Sequence, residues 1–143
     1  HEPDGDWWCL GSQYWAKNPH VPNYKAKFGI LLDMVGAPDA KFDREYHSLR
    51  YARNEVEKVW STARQLGFGD YYITKDQSAV LDDHLYVNQL INIPSIDIIQ
   101  FDENTEHRFG AYWHTQKDDM SNISKETLKA VGQTVLEVIY KEK

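Results

Sequence analysis

The run Gly29-Ile30-Leu31-Leu32, closed by Asp33, constrains the fold most. An unbroken apolar stretch of strand length suits a β-strand covered on both faces. That is the habit of parallel strands in α/β sheets rather than of half-solvated antiparallel ones. The strand is predicted over residues 26–35 and stops at Gly36-Ala37-Pro38-Asp39. A second buried strand is predicted over 95–101, led in by Pro94. The clearest helix covers 48–66, where Leu49, Ala52, Val56, Val59, Trp60 and Ala63 form one apolar stripe and Gly67 follows as the C′ residue. A final helix starts from a Ser124 cap and runs to about Tyr140, with Leu128, Val131, Val135, Val138 and Ile139 as its buried stripe. Shorter elements are a helix over Leu10–Lys17 stopped by Asn18-Pro19, a strand over Tyr71–Thr74, and a helix capped by Asp82 or Asp83 and running to about Leu90. Residues 1–9, 20–23 and 102–123 read as loop. Strands alternating with amphipathic helices imply an α/β fold, a mixed, mostly parallel central sheet flanked by helices. No internal boundary divides residues 1–143. Two clear strands are few for such a sheet, so further strands are expected in polypeptide outside this chain.

Composition excludes several classes of function. The net charge of -6 and the lack of any basic tract exclude a nucleic-acid partner. No apolar run is long enough to span a membrane. Cys9 is the single cysteine, which rules out an internal disulfide. Aromatic residues make up 13% of the chain, which suits a core and also a pocket for apolar side chains.

Residue types able to do chemistry gather in Trp7-Trp8, Asp33, Asp82-Asp83-His84, and Trp113-His114-Thr115 followed by Asp118-Asp119. Zinc needs three or four N, O or S ligands around one point, and no tightly spaced His pair supplies them here. Any metal site must therefore be assembled from separate loops. Each cluster also has a plainer reading. Asp33 can cap or pair, Asp-Asp-His can simply open a helix with favourable dipole charge, His114 can be a surface residue, and paired Trp residues can be core.

Together these segments resemble a known group. Leu31-Leu32-Asp33-Met34-Val35-Gly36-Ala37-Pro38 is similar to the strand and turn of M28 metallopeptidases, and its Gly-Ala-Pro is closer to the glutaminyl cyclases of that group. Leu81-Asp82-Asp83-His84 followed by Ile93-Pro94-Ser95-Ile96-Asp97 resembles the cyclase order of an Asp-Asp-His, a helix and a Pro-led strand. Tyr112-Trp113-His114-Thr115, then Asp118-Asp119 and Asn122-Ile123-Ser124, resembles the segment carrying the last zinc ligand. Trp7, five residues ahead of Ser12, matches a pocket tryptophan. The resemblance runs from about Trp7 to Tyr140.

It implies the C-terminal half of a zinc enzyme with an M28 zinc-exopeptidase-like fold. His114 would be a zinc ligand. Asp33 and Asp83 would be the catalytic acids of a hydrogen-bond network around the substrate amine. Trp7 and Trp113 would wall the pocket. Asp97 would lie at the pocket as well, although many animal cyclases carry His there and an ionised Asp can only accept. The implied reaction closes an N-terminal glutamine to pyroglutamate with loss of ammonia, using one zinc. An M28 aminopeptidase, with two zincs and Asp33 on the second, is the alternative, and a non-catalytic binding module of the same fold is another. The implied partners are a peptide with a free N-terminus and an upstream segment of the same protein carrying the other zinc ligands and the general acid–base glutamate. Glu2, Asp4 and Asp6 do not form that motif. The chain begins at His1, so it reads as part of a longer or processed protein. The resemblance also implies export to the periplasm or outside the cell.

Overall fold

The computed structural model describes residues 7–143. The acids Glu2, Asp4 and Asp6 and most of the loop expected at the start lie outside the described residues. Helix α1 spans Leu10–Lys17, as its spacing predicts. Strand β1 is Gly29–Asp33 and pairs in parallel with β4, Ser95–Ile99, in the register Leu31↔Asp97 and Asp33↔Ile99. Strand β2, Phe42–Arg44, pairs in parallel with β3, Tyr72–Asp76. An antiparallel bridge between Phe42 and Gln100 links the two pairs. Two parallel pairs joined through one antiparallel contact make the mixed, mostly parallel sheet that the alternation of elements implies.

The two long strands differ in burial. Every residue of β4 is buried. In β1 none is fully buried, and Leu32 is 45% exposed. The expectation of cover on both faces therefore fails for β1 within this chain. Among the described residues β1 pairs only with β4, so its other edge and part of one face lack a partner. Strand β2 escapes sequence reading because Phe-Asp-Arg is three residues long and has no apolar run.

Helix α2, Tyr46–Gln65, lies on the sheet and buries Leu49, Ala52, Val56, Val59, Trp60 and Ala63, the stripe read from its spacing. Trp60 anchors this layer. Its ring meets Tyr72 edge-on at 5.2 Å, and its Nε1 donates to the Ile73 carbonyl at 3.1 Å, so a large apolar surface is buried with its polar atom satisfied.

The helix expected from Asp82 or Asp83 to about Leu90 is present, but only its first turn is α-helical. Asp82 caps α3, Asp83–Tyr86, which passes into a π-helical turn over Val87–Ile91. Asn88 sits in that wider turn. Its amide donates to the carbonyls of His84 and Ser95, both at 2.8 Å, and its oxygen accepts from Ser95 N–H at 2.9 Å. This side chain binds α3 to β4, and Asn92 at φ 57 ends the turn.

Helix α4, Lys125–Lys141, is rotated from the expected stripe. Thr127, Ala130, Val131, Thr134 and Val138 are buried, while Leu128 and Ile139 are 44% and 50% exposed. Small Ala130 and the threonines form the inner face because their hydroxyls find carbonyls there, Thr127 on Ala37 and Thr134 on Ala130, both at 2.8 Å. The Ser124 cap is as predicted, its Oγ accepting from Thr127 N–H at 3.2 Å. Ser124→Ala in the intact protein should cost about 1 kcal/mol in urea melts. No measurable loss would mean that other contacts hold the start of α4.

Candidate functional site

Alternation along a strand puts Asp33 and Leu31 on one face of β1, and the parallel register puts Asp97 and Ile99 on the same face of β4. The turn that opens α3 packs over that face and brings Asp82 and Asp83 to the C-terminal end of β1. The Asp33 and Asp82 carboxyls lie close enough for each to shift the proton affinity of the other. Neighbouring carboxyls disfavour each other's ionisation, so one of them titrates above the ordinary range. Burial, then the charge of Asp82, pushes the Asp33 carboxyl up to about 6, against a bond from Met34 N–H that favours the charged form. Burial also raises Asp82.

Asp33 borders a cavity of about 200 Å³ together with Met34, Gly36, Tyr112 and Asp118. Asp83 borders a second, more apolar cavity of about 240 Å³, walled by Trp15, Tyr24, Phe28 and Ile30. Asp82 is the link between the two acids. The Sγ of Cys9 and carboxyl oxygens of Asp82 and Asp83 lie within 4.8 Å of one another, which seats the start of α1 against this turn.

The loop over 102–123 supplies the opposite wall. Tyr112 donates to Gln100 Oε1 at 2.7 Å and so ties the loop to the end of β4. Burial and the nearby charges of Asp118, Asp102 and Asp33 raise its phenol. A Cβ at Gly110 would sit 2.5 Å from the Tyr112 ring and would displace it from this position. Trp113 packs against both His107 at 4.9 Å and Phe109 at 5.1 Å, and His114 stacks on Trp113 at 3.8 Å. His114 has φ 56, and Met34, next to Asp33, has φ 51. A left-handed backbone at side chains as large as these is uncommon and persists where surroundings enforce it, often at functional sites.

The structure thus brings Asp33, Asp82 and Asp83 to one turn and sets Tyr112 and Asp118 beside Asp33. His114 is exposed and does not line the Asp33 cavity, although residues on both sides of it do. Trp113 is half-buried, and Trp7 is 61% exposed, two residues before Cys9. Asp97 is 0% exposed. It therefore lies beneath the site rather than on a pocket surface, a correction to the position expected for it. A wholly apolar strand pattern broken by one acid gives no sign of which side of the site that acid occupies. Burial, with the charges of Asp82, Asp33 and Glu45, pushes its carboxyl well up.

Sequence reading passed over Glu45 and did not assign His84. Glu45 is 0% exposed and caps α2. Its Oε1 accepts from the N–H of His47 at 2.8 Å and of Val80 at 3.0 Å. Its Oε2 accepts from Ser48 N–H and Oγ at 2.7 and 2.9 Å and lies 3.0 Å from His84 Nε2. Burial alone would raise this carboxyl. The bonds from His84, His47, Ser48 and Val80 outweigh it and hold the group down at about 2. Glutamate is not a usual helix cap, so nothing local marks it.

The sequence profile of peptidase family M28 matches residues 4–139. The chain belongs to peptidase family M28. This M28 chain is 59% identical to Tannerella forsythia glutaminyl cyclase, whose crystal structure superposes with a TM-score of 0.94 over 100% of this chain and 48% of that one. A structure described as a Zn-dependent exopeptidase of Parabacteroides distasonis is 60% identical, with a TM-score of 0.94 over 99% of this chain and 48% of that one. A glutaminyl-peptide cyclotransferase of Dictyostelium discoideum is 29% identical over 114 residues, 73% of this chain and 28% of its own length. The M28 chain therefore spans about half the length of these solved relatives. The family implies zinc. An imidazole and several carboxyls are the N and O donors that zinc accepts, so the residues present fit it in kind, though His114 alone cannot hold it.

Proposed function

We propose that the whole protein to which this chain belongs closes the N-terminal glutamine of peptides to pyroglutamate and releases ammonia. The observation that carries this reading is the Asp33–Asp82 pair, one carboxyl raised to about 6, set beside the loop of Trp113 and His114. The α-amine of the substrate attacks its own side-chain amide carbon, so the reaction must take a proton from the amine and give one to the departing nitrogen. Asp33, raised to about 6, gives up its proton just below neutral pH and, once ionised, accepts a hydrogen bond from the amine. Asp83 supports the same network through Asp82. Trp7 and Trp113 enclose the small side chain and keep out water, which would otherwise hydrolyse the amide. His114 would hold zinc together with carboxylates from polypeptide beyond this chain. When bound, zinc supplies Lewis-acid polarisation of the amide carbonyl. Support for the upstream ligands comes from the open edge of β1 and from relatives about twice as long.

The second reading is an aminopeptidase, favoured by the 60% identity to a Zn-dependent exopeptidase. There Asp33 would bind a second zinc. Export is part of the proposal. No helix among the described residues is long and apolar enough to cross a membrane.

Incubating the whole protein with a Gln-initiated and a Leu-initiated peptide separates the readings. Ammonia without a free amino acid, at one zinc per protein, is the expected result. Free leucine at two zincs would overturn it in favour of the peptidase. Neither product from a zinc-loaded sample would leave a binding module.

A further inference from the structure

We propose that Glu45 and His84 are positioning residues, a clamp that holds the Asp82–Asp83 turn from both sides. The inference rests on reading that turn as part of the active site. Both ties end on one carboxylate. Val80, two residues before Asp82, donates its N–H to Oε1 at 3.0 Å, and the His84 ring, one residue after Asp83, meets Oε2 at 3.0 Å. With Glu45 ionised, the hydrogen of that contact sits on Nε2, which donates.

Capping α2 does not explain this arrangement. A Ser or Asp at the same position would satisfy one or two N–H groups without burying a long charged side chain. A fully buried carboxylate is costly unless donors surround it. What Glu45 adds over an ordinary cap is reach, to residue 80 and to the ring of residue 84. Its remaining acceptor sites are occupied by His47 and Ser48, so it cannot swing away. Ser48 Oγ also accepts from the backbone N–H of Asp97 at 2.9 Å. One carboxylate thus keys the start of α2, the segment before α3, α3 itself and β4 to one another.

The ring is tethered at one nitrogen only. Its Nδ1 is buried without a hydrogen bond and lies 3.8 Å from Asp97 Oδ2. The Nε2 donor is therefore the group whose loss frees the turn. Small shifts of a catalytic group are amplified in rate, and a misplacement of about 1 Å can cost about 100-fold.

The test uses the whole zinc-loaded protein. Wild-type turnover of the Gln- and Leu-initiated peptides comes first and judges the functional reading alone. In His84→Asn the side chain cannot reach Glu45, whereas in His84→Gln the amide nitrogen occupies about the place of Nε2. The expected result is a fall of about 100-fold in kcat for His84→Asn with KM changed less than about threefold, and recovery to within about fivefold in His84→Gln. Equal losses in both variants would show that the ring merely fills the core and would overturn the clamp, as would unchanged kcat in His84→Asn. Two measurements on the wild type need neither turnover nor a folded variant. NMR should find the His84 proton on Nε2, and hydrogen exchange should find the Val80 amide protected. An Nε2 without a proton, or a Val80 amide exchanging like a free loop, sinks the proposal even if catalysis is as proposed.

Discussion

Replacing His114 with alanine in the whole protein is expected to remove zinc and lower kcat/KM by about a thousandfold, the effect of losing about 4 kcal/mol of transition-state stabilisation. The stability of the metal-free protein should barely change, apart from what bound zinc itself contributes. His114 is exposed and its main contact is the face of Trp113 at 3.8 Å, so truncation leaves no cavity. A surface change of this kind moves stability by about 0.5 kcal/mol, and the strain of a non-glycine residue at φ 56 exists before and after it. His107 is the internal control. It packs against the same indole, at 4.9 Å, and belongs to no proposed ligand set. His107→Ala should keep its zinc. Metal analysis of the two variants side by side decides the matter: full zinc in His114→Ala, or equal loss in both, removes His114 from the metal site.

Glu45→Ala is expected to destabilise the fold by about 3–5 kcal/mol, the usual loss when one member of a buried hydrogen-bonded charge network is removed. Acid should reveal the same residue. Its carboxyl is held at about 2 against an ordinary 4.5. The stabilisation it provides is therefore complete above pH 4.5 and is lost as pH falls toward 2. The span corresponds to about 3 kcal/mol. Asp33 acts with the opposite sign. Its pKa rises from 3.8 to about 6, so the folded state holds a proton that the unfolded chain has released, and stability falls as pH climbs across that window. Urea melts of the whole protein from pH 2 to 7 should rise, then sag. Glu45→Gln should flatten the rise below pH 4.5, and Asp33→Asn should shrink the sag, the remainder coming from the raised carboxyls of Asp82 and Asp97. An acid limb in Glu45→Gln as steep as that of the wild type would assign the low-pH loss to other groups.

Much of the molecule was legible before any coordinates. The stripe of α2, the Ser124 cap, the acid ending β1 and the Asp82 cap are local patterns, each set by a period or by one side chain reaching its neighbours' backbone. The motifs around Asp33, Asp83 and His114 were enough to place the chain in its family, and the family profile covers residues 4–139. The misses share a cause. Strand β2 has too few residues to show a period, and α4 turned its threonines inward because the carbonyls waiting for them belong partly to another segment.

The sequence alone determined the elements, their order and the residue types available for chemistry, because those follow from propensities and spacings within one or two turns of chain. Tertiary structure alone decided which acids face one another, that Asp97 lies under the site, and that Glu45 reaches both Val80 and His84. The physical reason is distance. The coupling of charges and burial depend on a few ångströms between groups tens of residues apart, and only the register of β1 on β4 and the seating of α3 across them set those ångströms.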